Sequence, residues 1–124
     1  GAHAPTAESG VGIMELDVRS EHSGATCTIS LTGEVDVYTS PKLRQELVDL
    51  VDGGCVDIVI DLDGLGFIDS SGLGVLVSSL RRVKEHGGTL RLVCTKESIL
   101  KIFRITGLDK VFAIFSETEE AQGF

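Results

Sequence analysis

The chain has 124 residues, 42% of them apolar, and a formal net charge of −8. That length is one domain's worth and buries a real core, while the acidic balance excludes a nucleic-acid footprint of clustered Lys and Arg and suits a partner with a basic surface. No apolar run approaches the roughly 18 residues that span a bilayer, and the start lacks a charged-then-apolar signal pattern, so a cytoplasmic protein is expected.

Residues 1–12 are expected to be a flexible extension, part cloning remnant and part native tail: Gly1 to Gly10 has no hydrophobic periodicity and no initiator Met. The folded domain is then 13–124. Met14 to Arg19 alternates apolar and polar, which predicts a strand with one wet face. Glu21-His22-Ser23-Gly24 reads as a turn and Ala25 to Leu31 as a second strand, so a hairpin opens the domain. Thr32 to Asp36 is read as leaving the sheet. Ser40-Pro41 supplies a cap and an early helical proline, and Leu43, Leu47, Leu50 and Val51 give a helix its core face before Gly53-Gly54 ends it.

Val56 to Leu62 is rich in β-branched residues and predicts a buried strand that breaks at Asp63-Gly64-Leu65-Gly66. Leu73, Leu76, Val77, Leu80 and Val83 recur at helical spacing until Gly87-Gly88. Thr89 to Cys94 is the next strand, Lys96 to Thr106 a helix closed by Gly107, Lys110 to Phe115 a last strand, and Glu117 onward a terminal helix. A hairpin followed by alternating helices and strands predicts an α/β fold whose mixed sheet has parallel central strands.

Cys27, Cys55 and Cys94 are odd in number and widely spaced, with no CxxC pair, and are expected to be buried free thiols of a reduced compartment. His3, His22 and His86 have no thiol or carboxylate company, so no metal site is expected.

The chemistry concentrates at Asp69-Ser70-Ser71-Gly72-Leu73-Gly74, where a strand gives way to a helix. The first N–H groups of a helix lack intrahelical partners and carry partial positive charge, so a phosphorylated hydroxyl is tolerated there. With Asp69 as the cap, Ser70 is spare, and Gly72 and Gly74, poor helix formers, are read as clearing space for something to approach. If the loop Gly33-Glu34-Val35-Asp36 shares an edge with this turn, Glu34, Asp36 and Asp69 form an acidic collar around Ser70. A phosphate there adds about −1.5 to −2 charges to a negative site and lowers a partner's affinity. Enzymatic readings are weaker, because the run is neither a G-x-S-x-G elbow nor a phosphate-binding loop and no His stands by as base. Arg81, Arg82, Lys84, Lys101 and Arg104 read as solvated helix faces.

Three runs, Gly33 to Leu43, Phe67 to Leu76 and Ile99 to Leu108, together resemble the bacterial anti-sigma factor antagonists of the STAS domain class, over about Met14 to Phe115, and most of all those of actinobacteria that govern development and stress. The resemblance implies a single STAS domain: a mixed sheet of about five strands with about four helices, packed mainly on one face. It implies a regulator without catalytic activity or cofactor of its own, whose unphosphorylated form binds an anti-sigma factor and frees a sigma factor. That partner, a serine kinase of the histidine-kinase-like ATPase type, then phosphorylates it from ATP, and a PP2C-type phosphatase reverses the step. Ser70 occupies the acceptor position. Asp36 matches the acidic position that contacts the kinase, and Glu34, Thr39, Asp69, Ser71, Gly72, Leu73 and Gly74 complete the implied partner surface. No nucleic acid or membrane is implied, and the free protein is expected to be a monomer. Competing readings are a STAS module that senses a nucleotide or small ligand within a larger signalling complex, and a small hydrolase using Ser70.

Overall fold

A computed structural model describes residues 15–123; the expected flexible extension and Met14 lie outside the described residues. Alternation builds β1 (Leu16–Ser23), and a two-residue turn with Gly24 at φ +63° returns the chain along β2 (Thr26–Val35). His22 thus belongs to β1 and not to the turn. β1 is an edge strand bearing Asp17, Arg19 and Glu21, and such charges discourage pairing with foreign strands.

Helix α1 (Ser40–Asp52) leads into β3 (Asp57–Ile68), α2 (Ser70–Glu85) into β4 (Thr89–Val93), and α3 (Glu97–Thr106) through a single 3-10 turn (Leu108–Lys110) into β5 (Ala113–Phe115). The last strand is therefore shorter than the Lys110 to Phe115 expected, its first residues being spent on that turn. α4 (Thr118–Gly123) closes the described chain. Strand order equals chain order, β1 to β5, antiparallel between β1 and β2 and parallel thereafter.

Successive crossovers of one hand between neighbouring strands bring their helices to the same face. Accordingly Leu43, Leu47 and Val51 of α1, Leu73, Leu76, Leu80 and Val83 of α2, and Ile99 and Phe103 of α3 share one core with Ile29, Leu31, Ile58, Ile60, Leu62, Leu90 and Leu92 of the sheet. The opposite face is covered by α4, whose Ala121 packs with Val59 and Val93. There Gln122 Nε2 donates to Thr28 Oγ1 at 2.7 Å. The expected mixed sheet with helices mainly on one face is what the chain forms.

Two expectations fail in an instructive way. β2 does not leave the sheet at Thr32, and β3 does not break at Asp63 to Gly66; both continue to their paired ends, Val35 and Ile68. The register steps from Ser30↔Asp61 to Thr32↔Gly64 and from Gly33↔Leu65 to Glu34↔Phe67, so β3 carries one extra residue at each step. These bulges reset which side faces inward, and Leu62, Leu65 and Ile68 all reach the core despite odd spacing. Gly64 is required because a Cβ there would lie 2.4 Å from the Leu31 carbonyl oxygen. Ser40 is likewise not the cap of α1; Thr39 takes that position, its hydroxyl engaged elsewhere.

The cysteines depart from expectation too. Cys27 and Cys55 form a disulfide, with Cα atoms 6.5 Å apart, and only Cys94 is a buried free thiol. Parallel pairing sets Thr26 opposite Asp57 and Cys27 opposite Ile58, which draws Cys55, two residues before β3, up to the start of β2.

Phe103 is fully buried and meets Phe112 edge to face at 6.0 Å between ring centres, tying α3 to the segment before β5. Replacing Phe103 by Ala should cost about 3–5 kcal/mol. Urea denaturation should show the midpoint fall accordingly, whereas a loss under 1 kcal/mol would mean that this corner of the core collapses around the gap.

Candidate functional site

The parallel ends of β2 and β3 create the site. Val35 pairs with Ile68, and one residue further the Asp69 N–H donates to the Val35 carbonyl at 3.1 Å. The two acidic segments therefore share one sheet edge, where α/β folds commonly place their binding groups. Glu34 is a strand residue paired with Phe67, Asp36 follows Val35, and Asp69 follows Ile68.

After β2 the chain is held by Asp36. Its Oδ1 accepts the N–H groups of Tyr38 at 2.8 Å and Thr39 at 3.0 Å, while its own N–H donates to Thr39 Oγ1 at 2.9 Å. The Thr39 hydroxyl donates to the Glu34 carbonyl at 2.8 Å. Asp36 and Thr39 are both buried, so they shape this loop from within and do not stand at its surface. What the loop displays is apolar: Val37 is 61% and Tyr38 85% exposed, and on β3 Phe67, paired with Glu34, is exposed as well. Sequence reasoning did not single out Val37 or Tyr38, since apolar residues between a strand end and a helix start look like core.

After β3 the backbone turns at Asp69, with φ −112° and ψ −170°, into α2. Its Oδ1 accepts the Ser71 N–H at 2.9 Å, the Gly72 N–H at 3.3 Å and the Ser71 hydroxyl at 2.7 Å. Asp69 is thus the cap, as expected, and Ser71 is its partner. Ser70, the first residue of α2, takes no part in this capping and is exposed at the positive end of the helix dipole. The Ser71 hydroxyl above all holds the Asp69 carboxyl below its ordinary value against the opposing effect of desolvation, and the N–H groups of Gly72 and Ser71 add to it.

The two glycines of the first turn differ in kind. A Cβ on Gly72 would meet Val35 Cγ1 at 2.6 Å and Ile68 Cγ1 at 2.7 Å, so Gly72 clears space for the protein's own core and not for a visitor. Gly74 is exposed with nothing within 4 Å of such an atom, which leaves the surface beside Ser70 open. Leu73 packs inward. The residues left facing outward are Ser70, Gly74, Val37 and Tyr38, with Glu34, Asp69 and Ser71 half-buried between them.

Among the described residues no group of three or more His, Cys, Asp or Glu could hold a metal ion, and no helix is long and apolar enough to cross a membrane. Residues 17–121 match the model of the STAS domain. The anti-sigma-B factor antagonist of Bacillus subtilis (strain 168) is 36% identical over 106 residues, 86% of this chain and 96% of that protein. Among solved structures, an anti-sigma factor antagonist from Mycobacterium paratuberculosis superposes with a TM-score of 0.81 at 26% identity, over 88% of this chain and 92% of that one. The Bacillus cell fate determinant SpoIIAA in its phosphorylated form does so with a TM-score of 0.68 at 25% identity, over 86% of this chain and 97% of that one.

Gly72→Ala should destabilise the domain by about 1–3 kcal/mol through overpacking, while Gly74→Ala should be neutral or stabilise it by up to about 1 kcal/mol, as helix propensity favours Ala. Denaturation of the pair separates the two roles, and equal effects would show that neither glycine is set by its surroundings. Asp69, with its lowered folded value, contributes stability in full above the unfolded-chain value near 4 and loses it as pH falls through the folded value. Asp69→Asn keeps a cap that does not titrate and should flatten the melting temperature against pH below about pH 4.

Proposed function

The chain belongs to the STAS domain family, and on that premise we propose that it is an anti-sigma factor antagonist switched by phosphorylation of Ser70. Its unphosphorylated form docks the rim made by the ends of β2 and β3 and the start of α2 on an anti-sigma factor, releasing the sigma factor that partner holds. The partner is a serine kinase of the histidine-kinase-like ATPase type, and a PP2C-type phosphatase resets the switch. The protein works in the cytoplasm, by occupying a partner and not by catalysis.

One observation carries this reading: Ser70 is an exposed hydroxyl at a helix start whose capping is already done by Asp69. Its Oγ can attack the γ-phosphorus of ATP, giving up its proton as ADP leaves, without costing the domain a structural hydrogen bond. The helix terminus then offsets part of the new charge, so phosphorylation acts on the interface and spares the fold. Val37, Tyr38 and the open surface at Gly74 supply contact area, and aromatic residues flanked by polar groups are frequent anchors of protein interfaces. A dianionic phosphate next to Asp69 makes that rim more acidic at the place where the partner must lose water. A penalty of about 3 kcal/mol weakens binding about a hundredfold.

The test is the intact mass after incubation with ATP and candidate anti-sigma kinases of the same genome, followed by peptide mapping. One added phosphate at Ser70 is expected. Ser70→Ala should bind the partner irrespective of ATP and Ser70→Asp should bind at least tenfold more weakly; equal binding of the two would end the switch hypothesis.

A further inference from the structure

The start of β2 and the loop before β3 lie at the other end of the parallel strands from Ser70, and they hold the disulfide. Its two sulfurs differ in environment. Cys27 is 1% exposed, and His22 Nδ1 lies 3.2 Å from its sulfur. Cys55 is half-buried and borders a shallow cavity of about 260 Å³ that is also lined by His22, Gly24, Ala25, Gly53, Gly54 and the deeper Cys27. At Gly24 and Gly54 nothing lies within 4 Å of where a Cβ would be, so the approach to Cys55 is open. Cys94 is no competitor: it is buried beyond β4, and burial pushes its thiol up.

An accessible disulfide in a cytoplasmic protein is seldom a permanent cross-link, because cytoplasmic thiol systems reduce it and those that persist are transient or redox-sensing. On the cytoplasmic reading above, we propose that Cys27–Cys55 is a thiol–disulfide exchange site taking a protein dithiol as its reductant, with His22 managing the proton of Cys27. A thiolate of the dithiol attacks Cys55 Sγ; the Cys27–Cys55 bond breaks as the mixed disulfide forms, and Cys27 leaves as a thiolate that takes a proton from Nδ1 when the neighbouring ring is an imidazolium, leaving neutral imidazole, and from water otherwise. The second thiol of the reductant then attacks its own mixed-disulfide sulfur and Cys55 leaves, protonated from water. Two electrons pass, the reductant ends as a disulfide and this chain as two thiols. Attack at Cys55 follows from its openness, and departure of Cys27 from the ring beside it.

The experiment takes the full oxidised chain with thioredoxin, its reductase and NADPH, without denaturant, and counts maleimide adducts by mass. When the quenched samples are labelled in denaturant, the count is expected to rise by two, from one on Cys94 to three, or from none to two in Cys94→Ser, with one NADPH consumed per chain. His22→Gln should slow the reduction on the order of tenfold while leaving the melting temperature of the oxidised protein in place. A disulfide that yields to thioredoxin only after denaturation, or a His22→Gln rate equal to the parent's, overturns the proposal. The same samples are assayed for Ser70-dependent partner binding: a resistant disulfide with intact switching removes this inference alone, and ready reduction without any partner binding upholds it while removing the antagonist reading.

Discussion

The pairing of Val35 with Ile68, continued by the Asp69 N–H onto the Val35 carbonyl, is the contact on which the rest of the site depends. It brings two loops separated by a whole helix and strand to one edge, and it fixes both at backbone precision. Because Gly72 lies directly against the side chains of these same two residues, α2 is seated on the end of the ladder and not merely near it. Any slip of β2 against β3 would turn inward-facing residues outward and unseat the helix start together with the serine it presents.

That arrangement divides labour among neighbouring polar residues. Asp36 and Thr39 close the first loop upon itself through their side-chain hydrogen bonds, and Asp69 and Ser71 close the second. With these groups satisfied internally, the surface between them is left to an exposed hydroxyl and to apolar side chains.

Much of this was legible in the chain. Helix-period spacing from Leu73 to Val83 and the β-branched run from Val56 gave the strand, turn and helix around Ser70, and Asp69 was identifiable as the cap by residue type and position. The strand ends were not legible, because Gly64 and Gly66 look like turn residues and because Leu62, Leu65 and Ile68 break the period-two pattern. Only pairing with β2 shows that two bulges absorb the irregularity. Buried residues of the site were misplaced for a related reason: Asp36, Thr39 and Gly72 belong to runs that mark a surface, yet their contacts face inward. The disulfide was invisible since a separation of 28 positions from Cys27 to Cys55 says nothing of the crossover that closes them into one corner.

Strand order equal to chain order has a consequence for how the domain comes into being. Each new strand docks against the one made just before it, so no strand waits for a distant strand and no earlier pair must be parted to admit a later one. Local pairing of this kind lowers the entropic cost of closing the chain and suits folding during synthesis. By the time the ribosome has released α2, both strands that anchor it have already been made, and the three-residue β5 at the outer edge is only the last course laid on a finished wall.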